Sequence, residues 1–390
     1  MKRTPQQRDP DTRMTRADFL RFGVASAGAA VAGSLGLVPG TARASAASDA
    51  AARALNAATA VQSGRVDPPP LAKTPSVGAN PASGATSSPP PSPEQAAAQS
   101  VDATGASPAK GQMHQRRIPS SGEMLPVIGV GTWRTFDVGD RPQDRVPLAE
   151  VLQVLFDAGG TVIDSSPMYG ASEKVTGDVL ALMDGFTNEA HGRAFLATKV
   201  WTQGRQAGIT QMQESMRLLR DDKLDLMQIH NLVDWKTHLP TLRTWKAEGR
   251  IRYLGVTHYT ASAHAQLEAV IKSEPLDFVQ LNYALDDRAA AQRLLPLAAD
   301  RGVAVIVNQP FGGGGLLRSL GSQPLPSWAG EIGCTSWAQL LLKFVLAHPA
   351  VTCVIPGTGK PDHMRDNVQA GVGPYPDIDM QARMIALLGK

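Results

Sequence analysis

The sequence predicts an α/β protein built as a closed (β/α)8 barrel, entered through a small β-hairpin and preceded by a long region without regular structure. Three observations carry that expectation. From Met113 onward, short apolar runs alternate with amphipathic ones, and the apolar runs number eight. Those runs are continuously apolar rather than alternating, as parallel strands covered on both faces must be. The segment they occupy, about 280 residues, is the length of one such barrel.

The chain begins with a stretch that reads as an address. In residues 1–44, TRADFLRFG leads into an uncharged small-residue run at 23–40, followed by TARA with Ala42 and Ala44 ahead of Ser45. This resembles a twin-arginine export signal with one departure: Ala17 follows Arg16 where a second arginine is expected. A working leader implies export machinery as a partner and a periplasmic location. A start at Met14, or a leader that does not function, implies the cytoplasm. Residues 45–112 are rich in Ala, Pro and Ser, with PPP at 68–70 and PPPSP at 89–93, and no aromatic residue stands between Phe22 and Trp133. Such a composition cannot bury enough apolar surface to offset its ordering entropy, so it predicts a disordered linker.

Residues 113–390 form the predicted barrel domain. RRIPSSGEMLPVIGVGTW predicts a hairpin turned at Ser120 to Gly122 and a first barrel strand ending at residues 129–133. TVID, AFLATKV, LDLMQI, IRYLGV, FVQL, VAVIV and VTCVI supply the other strands. Amphipathic segments such as LAEVLQVLFDAG, ITQMQESMRLLR and SWAQLLLKFVLAH lie between them, and HMRDNVQAG follows the eighth. A doubly wound open sheet is the competing arrangement, but no G-x-G-x-x-G follows the first strand.

Composition removes several function classes. Lys and Arg total 38 against 35 Asp and Glu, which leaves no electrostatic footprint for nucleic acid. Two cysteines are too few for a disulfide framework or a thiolate metal cage, and Cys353, inside VTCVI, reads as a core thiol. Beyond the leader, nothing approaches the ~20 apolar residues of a membrane span.

In a barrel of this kind chemistry belongs at the carboxyl ends of the strands. Asp164 closes TVID, Lys199 closes FLATK, His230 closes LDLMQIH, and Tyr169 follows Asp164 by five residues. Taken singly, a lysine there is most often a solvated charge and a histidine a structural imidazole. Together they suit proton donation to a carbonyl oxygen as hydride reaches its carbon. A free phenol, with a pKa near ~10, donates sluggishly at neutral pH. A nearby Lys199 ammonium is expected to lower that value, with Asp164 holding the ammonium charged and His230 orienting the carbonyl. Trp133, Trp201 and Trp235 lie within a few residues of strand ends one, three and four, and predict an apolar substrate slot. No metal ligand set stands out.

GVGTW at 129–133, the segment 164–170 that carries Asp164 and Tyr169, ATK and QIH together resemble the aldo-keto reductase superfamily, over the chain from about Met113 to its end. The resemblance implies reduction of aldehydes or ketones, or the reverse oxidation, with NADPH as cofactor and NAD left open. It implies that Gln280 meets the nicotinamide carboxamide, while Thr257 and His258 stand where a Ser-Asn pair often makes that contact. In VNQPFGGGGLL, Phe311, Gly312 and Leu316 belong to the loop whose amides cradle a pyrophosphate, and Asn308 replaces a stacking tyrosine. In IPGTGKPDHMRDN, Thr358 and Asn367 match the adenosine segment. Gly357 and His363 occupy the usual cation positions, leaving Lys360 and Arg365 as substitutes for the 2'-phosphate. Two other readings stay open: a non-catalytic NADPH-binding scaffold or redox sensor, and a lyase or epimerase that uses Lys199 as a Schiff base.

Overall fold

A computed structural model describes residues 111–187 and 190–389; the leader, and the linker up to its last two residues, lie outside the described residues. The hairpin pairs β1 (Gln115–Arg117) with β2 (Met124–Pro126) antiparallel. The Gly122 N–H closes its turn onto the Ile118 carbonyl at 2.8 Å. Barrel strands follow as β3 (Val130–Gly131), β4 (Val162–Asp164), β5 (Phe195–Val200), β6 (Leu224–His230), β7 (Ile251–Thr257), β8 (Phe278–Asn282), β9 (Ala304–Asn308) and β10 (Val351–Val354). All eight are parallel, and each is a neighbour of the next in sequence. Parallel bridges Ile128–Val354 and Gly131–Gly357 join the last strand to the first and close the ring.

Helices α1 (Pro142–Asp157), α2 (Ser172–Thr187), α3 (Ala190–Arg193), α4 (Arg205–Leu219), α5 (Trp235–Ala247), α6 (His264–Ser273) and α7 (Ala290–Asp300) connect the strands up to β9. After β9 come a short α8 (Gly315–Leu320) and then α9 (Trp337–Ala347). The α9 segment is apolar nearly all round and correspondingly buried, and Ser336 caps it by accepting the Gln339 N–H. Its one cation, Lys343, is satisfied by the carbonyls of Ile332, Val372 and Pro374. After β10 come α10 (Pro361–Val368) and α11 (Ile378–Ala386). Sequence reasoning did not anticipate α11, which Asp377 caps and which buries Met380 and Met384, one turn apart. The packing of α2 on α4 is close: a Cβ on Gly177 would stand 2.2 Å from the Leu218 carbonyl oxygen.

The two-residue period of a strand determines where chemistry can occur. One buried cluster gathers Val162, Phe195, Ala197, Leu226, Tyr253, Phe278 and Ile306, with Ile118 and Leu125 of the hairpin region. These are the inward residues at the lower end of the barrel, and the hairpin plugs that end. The alternate residues, Ile163, Leu196, Met227, Ile229, Val256 and Val279, belong to the other cluster, shared with the helices. Steps of two from the inward set lead upward from Val162 to Asp164, from Ala197 to Lys199, and from Leu226 through Gln228 to His230. Apolar residues therefore seal the base while polar ones of the same parity face inward at the carboxyl end.

Candidate active site

Asp164 is 2 % exposed, and its carboxylate accepts three hydrogen bonds. The Lys199 ammonium lies 2.5 Å from Oδ2, while the amides of Gln280 and Gln228 donate to Oδ1 at 2.7 and 3.3 Å. Lys199 is fully buried; it also donates to the Ser165 carbonyl at 2.6 Å, and the Tyr169 phenol is a further polar neighbour. Two of its three protons are thus engaged by Asp164 and Ser165. Burial works against the charged amine, but Asp164 and Tyr169 outweigh it and hold the ammonium pKa above its ordinary value.

Tyr169 stands in the turn after β4, its amide bonded to the Ser166 carbonyl at 3.0 Å. Lys199 Nζ lies 5.0 Å from the centre of the phenol ring. The structure reverses the expected lowering of the phenol's pKa. Burial of the hydroxyl raises the pKa, Lys199 pulls it back, Asp164 adds to the rise, and the balance lies above 10.0. Desolvation of a phenolate is the largest effect, and Asp164 offsets part of the ammonium's pull against it.

His230 meets the Tyr169 ring edge to face, 5.7 Å between centroids and 87° between planes. Its Nδ1 lies 2.9 Å from Ser166 Oγ. Burial first, then the charges of Lys199 and His258, hold its pKa well below 6.5, so the imidazole is neutral at physiological pH. The four residues singled out in the sequence are thus brought to one mouth.

Other expected positions divide. Gln280 is 2 % exposed and engaged at both ends: its amide holds Asp164, and its carbonyl accepts from Thr257 at 3.1 Å and Asn308 at 3.5 Å. Such a group ties Asp164 to β7 and β9. His258 stacks on Tyr259, and its Nδ1 accepts the amides of Tyr259 and Thr260 at 3.0 and 3.3 Å. Burial lowers its pKa to about 4.

The glycine turn after β9 has left-handed φ at Gly312, Gly313 and Gly314. A side chain on Gly312 would also strike the Asp286 carboxylate. The amide of Gly312 donates to the Gln309 carbonyl, and those of Gly314 and Leu316 to the Phe311 carbonyl, so these three bond within the turn. Phe311 packs against the core, and Leu316 is part of it. Beside the turn lies the exposed Arg318, which sequence reasoning passed over; its Nη1 is 3.3 Å from where a Cβ of Gly314 would be.

Around β10, Thr358 is buried and accepts the Lys360 N–H at 3.1 Å; Asn367 is buried in α10; Lys360 is exposed just before that helix. Arg365 is committed to Glu150 at 2.5 Å and Asp362 at 2.6 Å, which weakens its expected role as a phosphate cation. The three tryptophans differ in their surroundings. Trp133 is 44 % exposed under the Arg134 guanidinium, and Trp235 lines a shallow groove of α5 with Leu239 and Arg243. Trp201 is half-buried, and among the described residues no ring contact joins the three to Tyr169 or to one another. A cavity of about 360 Å³, lined by Ser120, Lys223, Arg252 and Tyr253, lies at the hairpin end, away from the catalytic four.

Gln228 and Ser166 were missed in the sequence. Gln228 was findable, since it stands two residues before His230 on the same face of β6. Ser166 lies in a turn, where no periodicity marks a side chain's direction.

Comparison with known proteins agrees with this geometry. The chain is 27 % identical over 286 residues to methylglyoxal reductase YeaE of Escherichia coli K12, covering 71 % of this chain and 95 % of that protein. An aldo-keto reductase from Klebsiella pneumoniae solved with NADPH superposes with a TM-score of 0.59 at 26 % identity, over 70 % of this chain and 95 % of that one. A Klebsiella pneumoniae structure with NADP and acetate gives 0.58 at 25 %, over 72 % and 95 %. The model of the Aldo/keto reductase family matches residues 127–384. Since that match runs from the residues leading into β3 through most of α11, the chain belongs to the aldo/keto reductase family.

Proposed function

We propose that the protein reduces aldehydes or ketones with NADPH, or oxidises the corresponding alcohols with NADP, using Tyr169 as the general acid. One observation carries the reading: a fully buried ammonium, Lys199, is paired with the Asp164 carboxylate at 2.5 Å while its Nζ stands 5.0 Å from the centre of the Tyr169 ring. A structural ion pair has no need of the phenol. Tyr169 remains protonated at neutral pH and can give its proton to a carbonyl oxygen, while Lys199 stabilises the phenolate that forms. Asp164 keeps Lys199 charged and aimed, and the two glutamines keep Asp164 in place. His230, neutral, directs the carbonyl oxygen towards the phenol. The buried base of the barrel excludes water from beneath.

The residues present fit a phosphorylated dinucleotide. Arg318 beside the glycine turn and Lys360 ahead of α10 are exposed cations with which phosphates can form charge-assisted hydrogen bonds. Bound NADPH supplies the hydride. The relatives solved with NADP and NADPH support that cofactor, and the similarity to a methylglyoxal reductase supports small reactive carbonyl compounds as first substrates. The signal-like leader supports export as its route.

The test is NADPH consumption with a panel of aldehydes that includes methylglyoxal, comparing the protein with Tyr169→Phe. The variant is expected to lose at least about 10²-fold in kcat, the scale of a general-acid contribution. Retention of activity within tenfold would remove the phenol from the mechanism.

A further inference from the structure

Whether His230 can donate a hydrogen bond to a carbonyl depends on which ring nitrogen carries its proton. Its Nδ1 faces Ser166 Oγ at 2.9 Å. That hydroxyl also accepts the Met168 N–H at 3.3 Å. Ser166 is sealed from solvent, and a serine hydroxyl has one proton to give. Were Nδ1 protonated, it would donate to Ser166, and the serine proton would be left in a water-excluded site with no acceptor. The opposite arrangement satisfies both members of the buried pair: Ser166 donates to a bare Nδ1, and the ring proton moves to Nε2, where it is left for a substrate.

We infer that Ser166 is a positioning residue that locks His230 in its Nε2–H tautomer, so that the imidazole meets the substrate oxygen as a neutral donor. The inference deepens the reductase reading and rests on it. Several features hold the ring for this task. The Tyr169 ring packs against it edge to face, and the Val233 amide turns back onto the His230 carbonyl at 3.1 Å. Left-handed φ values of 54° at Asn231 and 57° at Leu232 commit the chain to that turn. The Tyr169 amide donates to the Ser166 carbonyl, so one short turn carries both the proton donor and the group that sets its neighbour's tautomer.

The test uses the full chain with its histidine rings labelled with ¹⁵N, comparing wild type, Ser166→Ala, and His230→Gln as the means of assigning the signal. The wild-type His230 is expected to show a proton on Nε2 and none on Nδ1, and Ser166→Ala to show a mixture of the two tautomers. The same variant is expected to lose about fivefold in kcat/KM for an aldehyde, the equivalent of one neutral hydrogen bond of roughly 1 kcal/mol. Its NADPH Kd, read by fluorescence, stays within about twofold, since Ser166 is placed away from the cofactor cations. A wild-type proton on Nδ1, or a variant that keeps both the wild-type tautomer and the wild-type kcat/KM, overturns the assignment. The ring spectrum needs no turnover. A protein inert to every carbonyl compound, yet with the Nε2 signature present and lost in Ser166→Ala, would refute the reductase reading and uphold the tautomer lock.

Discussion

Replacing Lys199 by methionine removes a charge without removing much volume, and the structure allows its cost to be worked out. The ammonium is fully buried, and its main partner is the nearly buried Asp164 carboxylate 2.5 Å away. In Lys199→Met the carboxylate keeps the Gln228 and Gln280 amides but loses its counter-charge. Breaking one side of such a pair costs about 3–5 kcal/mol, most of it the penalty of an uncompensated buried charge. Asp164→Asn in the same background removes that charge, so the double variant is expected to recover about half of the loss or more. Urea denaturation at pH 7, read as ΔG and as the midpoint at constant slope, measures all four corners of the cycle. Protonation of the orphaned carboxylate in the folded state relieves the cost, so the deficit of Lys199→Met against wild type should shrink as the pH falls from 7 towards 5. A Lys199→Met protein within about 1 kcal/mol of wild type at pH 7, or a deficit that grows on acidification, would refute the view that Lys199 compensates a buried carboxylate.

Two further outcomes concern stability away from that pair. His258 and His348 are each held near 4 rather than 6.5, chiefly by burial, so between those values the unfolded chain takes up protons that the folded chain refuses. Stability from these groups is therefore complete above about pH 6.5 and is lost as the pH falls towards 4; His348 accounts for roughly 3 kcal/mol of it. Urea midpoints across that range should fall with pH, and His348→Gln should flatten the slope; an unchanged slope in the variant would dismiss its part. Gly177→Ala drives a Cβ to 2.2 Å from the Leu218 carbonyl oxygen and must push α2 from α4, at an overpacking cost of about 1–3 kcal/mol. A thermal melt should show Tm lower by several degrees, and an unchanged Tm would mean that the two helices separate without cost.

Much of the site was legible because the signals that mark it are local. Eight apolar runs imply eight strands, and a strand's period of two places Asp164, Lys199 and His230 on the same side as the apolar residues two or four positions earlier. The short step from Asp164 to Tyr169 stays within one turn, so the phenol could be assigned to the same mouth. What the sequence left open depends on groups far apart along the chain. Arg365 stood as a substitute for the phosphate cation, and its partner Glu150, 215 residues earlier, was not legible beside it. Three tryptophans near strand ends suggested a slot, and proximity to a strand end does not by itself determine which way a loop side chain turns.

By itself the sequence determined the barrel, its parity, and the identity of the four groups at its mouth, because hydrophobic period and residue chemistry are properties of neighbours along the chain. Only the tertiary structure decided how those groups behave. The phenol's pKa is raised rather than lowered, Gln280 is drawn into the Asp164 network, and Ser166 stands behind His230. Each of these is a balance of distance and desolvation between residues on different strands, and neither quantity exists until the ring has closed.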